Sequence, residues 1–205
     1  MSLVIAILAG GAGRRIGGDK PRRRLGGTRL LDRALETVGA VAAPVIIVVR
    51  EPSQVDGFAG TVVLDAPGIA GPLAGLFSAL AWAADAGADR VLTLPCDMPF
   101  LPADLHPRLA SALTKDVGAA VAASAGRLHP VCALWRTTTT PTLARRASEG
   151  NLSLRGLAEA VGCAIVDWPV DRGDPFVNIN TAEDMAAAEA TLGKRPCRPG
   201  RRVHR

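Results

Sequence analysis

Apolar residues along the chain fall into two alternating patterns. Short, nearly continuous apolar runs predict buried strands at 4–8, 45–49, 61–64, 91–94, 118–123, 131–135 and 164–168. Between them, apolar positions recur at helical spacing and predict helices at 29–41, 73–86, 103–113, 140–147 and 152–160, with a last one at 182–192. Continuous apolar strands alternating with helices imply a mostly parallel sheet covered on both faces. No period of 20–50 residues repeats, so a solenoid or propeller is excluded. In such sheets ligands sit at the carboxyl ends of the strands. The notable polar residues of this sequence cluster at those ends.

The first strand runs into Gly10, Gly11 and Gly13, then Gly17 and Gly18, with Arg14, Arg15 and Lys20 interleaved. Glycines let backbone N–H groups turn toward a ligand, and the cations add charge-assisted donors for phosphate oxygens. The loop is neither of two familiar phosphate binders. A GxxxxGK[ST] sequence would need Lys directly after Gly18, where Asp19 stands. A GxGxxG fingerprint from Gly11 meets Ile16 at its last position. Pro21 disfavours helix at Lys20. An open, basic, polyphosphate-holding loop is the expectation.

Later strands deliver further chemistry. The second ends at Arg50, where an acid would bind ribose in a NAD enzyme, which weakens an oxidoreductase reading. The third delivers Asp65 and then PGIAGPLAG, a turn whose glycines leave room for a flat nucleobase or simply make a tight turn. The fourth delivers Asp97, and a single carboxylate beside phosphates suits Mg²⁺, although taken alone it could equally cap the turn near Leu101 and Pro102. His129 precedes the sixth strand, where it could pack or cap. Asn151, Ser153 and Arg155 open a helical pattern, with Asn151 as the expected N-cap. Asn178 and Asn180 alternate with apolar residues, as on one face of an extended segment. Thr181 and Asp184 have the spacing of a capping box with Asp in place of Glu.

Composition bounds the remainder. At 205 residues the chain suffices for one sizeable core. It contains no run of 18 apolar residues for a membrane span, and no signal-peptide pattern is apparent. Its four cysteines show no metal or disulfide spacing, so a cytoplasmic location is expected. The formal charge of +5 is unevenly spread. Residues 194–205 hold six Lys/Arg and no acid, leaving 18 Lys/Arg against 19 Asp/Glu in residues 1–193. A domain over 1–193 followed by a basic, disordered tail is expected. Segment 14–29 holds seven bases and one acid within an otherwise acidic body. That contrast points to a local anion site rather than a specific nucleic-acid surface.

LAGGAGRRIGGDK (8–20), DAPGIAGPLAG (65–75), LPCDMPFL (94–101), RLHPVCAL (127–134) and FVNINTAEDM (176–185) together resemble molybdenum cofactor guanylyltransferases, within the glycosyltransferase-A-like nucleotidyltransferases. The resemblance spans about residues 4–192 in order. It implies a three-layer, Rossmann-like α/β fold with a mostly parallel, mixed sheet. It also implies Mg²⁺-dependent transfer of GMP from GTP to molybdopterin cofactor, with transient contact to cofactor-accepting enzymes. Leu8, Ala9, Gly10 and Gly11 would line the nucleotide site. Arg15 and Lys20 would hold phosphates, Asp65 the nucleoside and Asp97 the metal. His129, Arg155, Asn178 and Asn180 would face the second substrate. The chain departs from the family pattern at Pro21-Arg22-Arg23-Arg24, and at Arg50, where an amide is usual. The same motifs leave open a cytidylyltransferase acting on molybdopterin, another nucleotidyltransferase of the superfamily, or a nucleotide-binding regulator without activity.

Overall fold

The computed structural model describes residues 2–10 and 20–194. Gly11, Arg15 and most of the glycine loop, with the basic tail beyond 194, lie outside the described residues. The elements, in chain order, are β1 (Leu3–Leu8), β2 (Arg24–Leu25), β3 (Thr28–Arg29), α1 (Leu30–Val38), β4 (Val45–Val49), β5 (Thr61–Leu64), α2 (Pro72–Asp85), β6 (Arg90–Pro95), α3 (Leu105–Ala112), β7 (Ala119–Ser124), β8 (Arg127–Arg136), α4 (Thr140–Ser148), α5 (Leu154–Ala160), β9 (Cys163–Trp168) and α6 (Ala182–Lys194). Seven strands form one sheet in the order β5-β4-β1-β6-β8-β7-β9. β2 and β3 make a separate small hairpin that the apolar pattern does not announce.

The period-two alternation of strands explains why these runs are apolar throughout. Ile5, Ile7, Ile47, Val49, Leu92 and Leu94 face one layer with α1 and α3. Val4, Ala6, Ile46, Val48 and Val91 face the other, against α2, α4 and α5. In α2, Leu73, Leu76, Ala79, Leu80 and Ala83 are fully buried at helical spacing. Each leucine contributes roughly 1.5–3 kcal/mol by leaving water. The two outer strands differ from the expected burial: Leu64 is 51% and Ile165 60% exposed, because β5 and β9 are the sheet's edges. Among the described residues no helix is long and apolar enough to cross a membrane.

β8 is the one strand of this sheet that runs against its neighbours, antiparallel to both β6 and β7. Its first residues therefore lie at the edge where the other strands end. β8 starts at Arg127, so Arg127 to Pro130 belong to the strand rather than preceding it. Pro130 lacks an N–H for the ladder, and the β7–β8 register shifts between Val121 and Ala122. Pairing of β6 with β8 is recorded only as far as Thr93 with Ala133, whereas β1 and β6 pair on to Leu8 with Pro95. The sheet thus opens between β6 and β8 at its carboxyl edge.

At the other end of β7, Gly118 packs against the turn that follows α5. A Cβ there would stand 2.8 Å from Cβ of Val161 and 2.9 Å from Cγ2 of Thr139. Gly118→Ala is expected to lose about 1–3 kcal/mol by overpacking. Urea unfolding should show a lower midpoint at an unchanged slope, and an unchanged midpoint would contradict this packing.

Candidate active site

A cavity of about 390 Å³ occupies the carboxyl edge of the sheet. On one side it is lined by Leu8, Ala9, Gly10, Arg50 and Asp65, which follow β1, β4 and β5. The N-terminus of α2 contributes Gly71, Pro72 and Gly75. On the other side are Met98, the start of β8 from Arg127 to Val131, and Asn178. Lys20, Pro95, Cys96 and Asp97 also line it.

Lys20 ties the site together. It opens a short 3₁₀ turn, Lys20–Arg22, ahead of the β2–β3 hairpin. Its Nζ donates to Asp97 Oδ2 at 2.8 Å and to Asn180 Oδ1 at 2.6 Å. The side chains of the ion pair are 13% and 15% exposed. Asn180 is held in place from both sides. Ile179 N donates to Asp97 O at 2.9 Å. The N–H groups of Asn180 and Thr181 donate to Asp184 Oδ2 at 2.8 and 2.9 Å, and Asp184 N donates to Thr181 Oγ1. The capping box expected from sequence is therefore formed, and it carries the amide that meets the lysine.

The base of the cavity is built by close approach. Asp65 Oδ2 lies 2.6 Å from where a Cβ on Gly10 would stand, so only glycine leaves the carboxylate its place. Gly71, at φ 71°, turns the chain into α2 in a conformation that side chains disfavour. Burial raises the Asp65 pKa, and the positive charge of Arg50 opposes that shift. Sequence reasoning gave Arg50 no role in a nucleotide site, yet it lines this cavity beside Asp65. Its position one residue past a strand end was the available signal.

The other predicted residues are placed as follows. Leu8, Ala9, Gly10, Asp65, Asp97, His129 and Asn178 line the cavity with Lys20. Asn180 reaches it through Lys20. Arg155 is not brought there: it is exposed on α5 and pairs with Glu159 at 3.0 Å. Asn151 does not cap α5. Ser153 does, its Oγ accepting from Gly156 N at 3.2 Å. The 176–180 segment is not a strand and does not alternate, since Phe176 and Ile179 are buried while Val177 is exposed. Of the arginine run, Arg22 pairs with Asp56 at 2.7 Å and Arg24 donates to Gly27 O. The thiol pKa of Cys96 is driven up, first by burial and then by Asp97, so it stays protonated and offers no thiolate nucleophile. No group of three or more His, Cys, Asp or Glu among the described residues could cage a metal unaided.

An α/β sheet with a lysine–carboxylate–amide cluster at its carboxyl edge has the layout of a nucleotidyltransferase, and comparisons with known proteins agree. Residues 5–168 match the MobA-like NTP transferase domain. A Cereibacter sphaeroides protein named molybdenum cofactor guanylyltransferase is 40% identical over 196 residues, covering 95% of this chain and 99% of its own. One of the same name from Acidiphilium cryptum is 43% identical over 188 residues, covering 90% and 92%. The crystal structure of molybdopterin-guanine dinucleotide biosynthesis protein A from Archaeoglobus fulgidus superposes with a TM-score of 0.75 at 23% identity, covering 94% of this chain and 100% of that one. The chain belongs to the MobA-like NTP transferase family and is an enzyme, a nucleotidyltransferase.

The cap that holds Asn180 has a pH signature. Backbone N–H bonds from Asn180 and Thr181 hold the Asp184 carboxyl below its usual pKa. A lowered carboxylate pKa adds stability above the ordinary value near pH 4, and that stability is lost as pH falls through the lower folded value. Wild type and Asp184→Asn should therefore differ most in urea stability at about pH 7, and the difference should shrink progressively as pH falls below about 4. A difference that grows in acid would contradict the assignment.

Proposed function

We propose that the enzyme transfers GMP from GTP to the terminal phosphate of molybdopterin cofactor, forming the guanine dinucleotide cofactor and pyrophosphate. The observation that carries this reading is the Lys20 ammonium held between Asp97 and Asn180 inside a two-sided cavity. The names of the relatives at about 40% identity supply the substrate pair. In this reading GTP lies over the ends of β1, β4 and β5. Leu8, Ala9, Gly10 and Gly11 line its path, Asp65 meets the nucleoside, and Lys20 and Arg15 hold phosphates. The second substrate lies over the start of β8, against His129 and Asn178. Arg155 has no part in it. The reaction is cytoplasmic, and the product passes to acceptor enzymes by transient contact.

The step needs neutralisation more than proton transfer. An oxygen of the molybdopterin phosphate attacks the α-phosphorus of GTP. The bond from that phosphorus to the bridging oxygen breaks, and pyrophosphate leaves with the electron pair. The attacking oxygen is already anionic, so no general base is required. Like charges oppose the approach, and cationic side chains aligned on the phosphates lower that barrier. Mg²⁺ fits this donor set: a carboxylate and an amide oxygen already surround one cation here, and Mg²⁺ prefers one or two carboxylates completed by phosphate oxygens and water. Asp97 would hold it, and when bound it would supply further charge neutralisation on phosphoryl oxygens.

Asp97→Asn, which keeps an oxygen acceptor for Lys20, is expected to lower Mg²⁺-dependent pyrophosphate release from GTP and molybdopterin by about 100- to 1000-fold, while the far-UV circular dichroism spectrum stays that of the folded protein. Near-normal turnover would refute the role. Titration with GTP and CTP in Mg²⁺ checks the base, and tighter CTP would reassign the donor.

Lys20→Ala is expected to weaken GTP binding by about tenfold or more while leaving guanosine binding nearly unchanged, since a hydrogen bond to a charged group contributes about 1.5–3 kcal/mol. Equal losses for both ligands would mean that Lys20 does not touch phosphates.

A further inference from the structure

Three groups to which the reaction assigns no proton transfer meet at the β8 side of the cavity. Ser124 ends β7 and is fully buried. Its Oγ lies 2.8 Å from His129 Nε2 and 2.8 Å from Asp174 Oδ1. A serine hydroxyl has one proton to give. An ionised Asp174 only accepts, and its Oδ1 already takes the Phe176 N–H at 2.9 Å. If the Ser124 proton pointed at the imidazole, two oxygens with no proton between them would face each other at 2.8 Å. The hydroxyl therefore donates to Asp174, and Oγ accepts from Nε2–H.

That settles which ring nitrogen is left over. Nδ1 of His129 has no protein partner among the described residues, and it is not one of the buried polar atoms sealed without a partner. The ring itself lines the cavity. Two charged side chains act on it, Asp174 and Arg127. Burial lowers the imidazole pKa, Asp174 opposes the shift and Arg127 reinforces it, so Nδ1 is unprotonated at neutral pH. The ring plane is fixed by a stack: His129 lies on Phe176 with centroids 4.6 Å apart and planes at 11°. Trp168 meets Phe176 edge-on at 5.4 Å. Arg108 lies 4.1 Å over Trp168, and Asp104 takes the indole N–H.

We propose that Ser124 and Asp174 are positioning residues that hold His129 as its Nε2–H tautomer, so that Nδ1 offers a hydrogen-bond acceptor to an N–H of the second substrate's heterocycle. The inference rests on the reading of the β8 side of the cavity as the second-substrate side. It makes His129 a reader of a ring donor rather than a phosphate ligand, because an unprotonated Nδ1 repels an anion's lone pairs. It also gives a role to Asp174, which neither touches the cavity nor belongs to any motif singled out in the sequence.

The test begins with the resting enzyme. Two-bond ¹H–¹⁵N correlation of the wild-type side chains at neutral pH, assigned with His129→Asn, should show His129 protonated at Nε2 and bare at Nδ1. An Nδ1–H tautomer or an imidazolium overturns the proposal. Adding 6-hydroxymethylpterin, a stable pterin probe, should move the His129 Nδ1 resonance, and no movement overturns it as well. Ser124→Ala should mix the tautomers and raise KM for molybdopterin about five- to tenfold, the loss of about one hydrogen bond, while the Kd for GTP is unchanged. An unchanged KM, or an equal loss for GTP, overturns the positioning role. His129→Asn, which keeps an acceptor near Nδ1, should retain more pterin affinity than His129→Gln, and the reverse order overturns it. A wild type that holds the tautomer and binds the pterin without GTP turnover would support this inference while refuting the proposed reaction. Turnover with the other tautomer would do the opposite.

Discussion

The arrangement depends on one ion pair. Lys20, Asp97 and Asn180 are 77 and 160 residues apart, and their contact closes the end of the glycine-loop segment, the turn after β6 and the approach to α6 onto a single point. A pair this far from water needs both partners, because a lone charge left at that depth is poorly solvated. Further bonds restrain the geometry: Ile179 N to Asp97 O, the cap on α6, and the small cluster of Leu25, Leu30, Phe100, Ile179 and Ala188 that packs the β2–β3 hairpin against α6. A cation is thereby kept at the carboxyl edge of the sheet, inside the cavity.

The cavity itself follows from how the sheet is paired. A run of parallel strands would bring β-strand ends and turns to one edge and nothing else. The reversed β8 adds the beginning of a strand to that edge. Proline at 130 and the irregular register at Val121/Ala122 then part it from β6. The gap has polar groups of different character on its two sides. Towards β4 and β5 stand Asp65 and Arg50, an acceptor and a donor suited to a base and its sugar. Towards β8 stands an imidazole braced by aromatic rings.

Charge is distributed to match. The body outside segment 14–29 and the tail is acidic, so the cations that serve the site stand out against it. Within the cavity, burial shifts three groups toward their uncharged forms. It raises Asp65 and Cys96 and lowers His129.

Much of this was readable from residue order. Buried strands and helices announce themselves by local period, because each face must be apolar wherever it meets a layer, and the expected elements agree with those found to within a few residues. β8 is the exception, four residues longer at its start than its apolar run. The capping box at Thr181 and Asp184 was also legible, since a cap is a contact between residues three apart. Asp65, Asp97 and His129 were legible because each stands at or just past a strand's end or start, and those ends share an edge; Lys20 and Asn178 were legible only as parts of motifs. Folding in three dimensions alone placed Arg155 on an outer helix face, seated Arg50 beside Asp65, and joined Ser124 to Asp174 across 50 residues. Local pattern records what a residue needs from its neighbours in sequence. Which side chain meets which across the sheet depends on strand order, on the reversal of β8 and on register, and these are settled by packing the whole core at once.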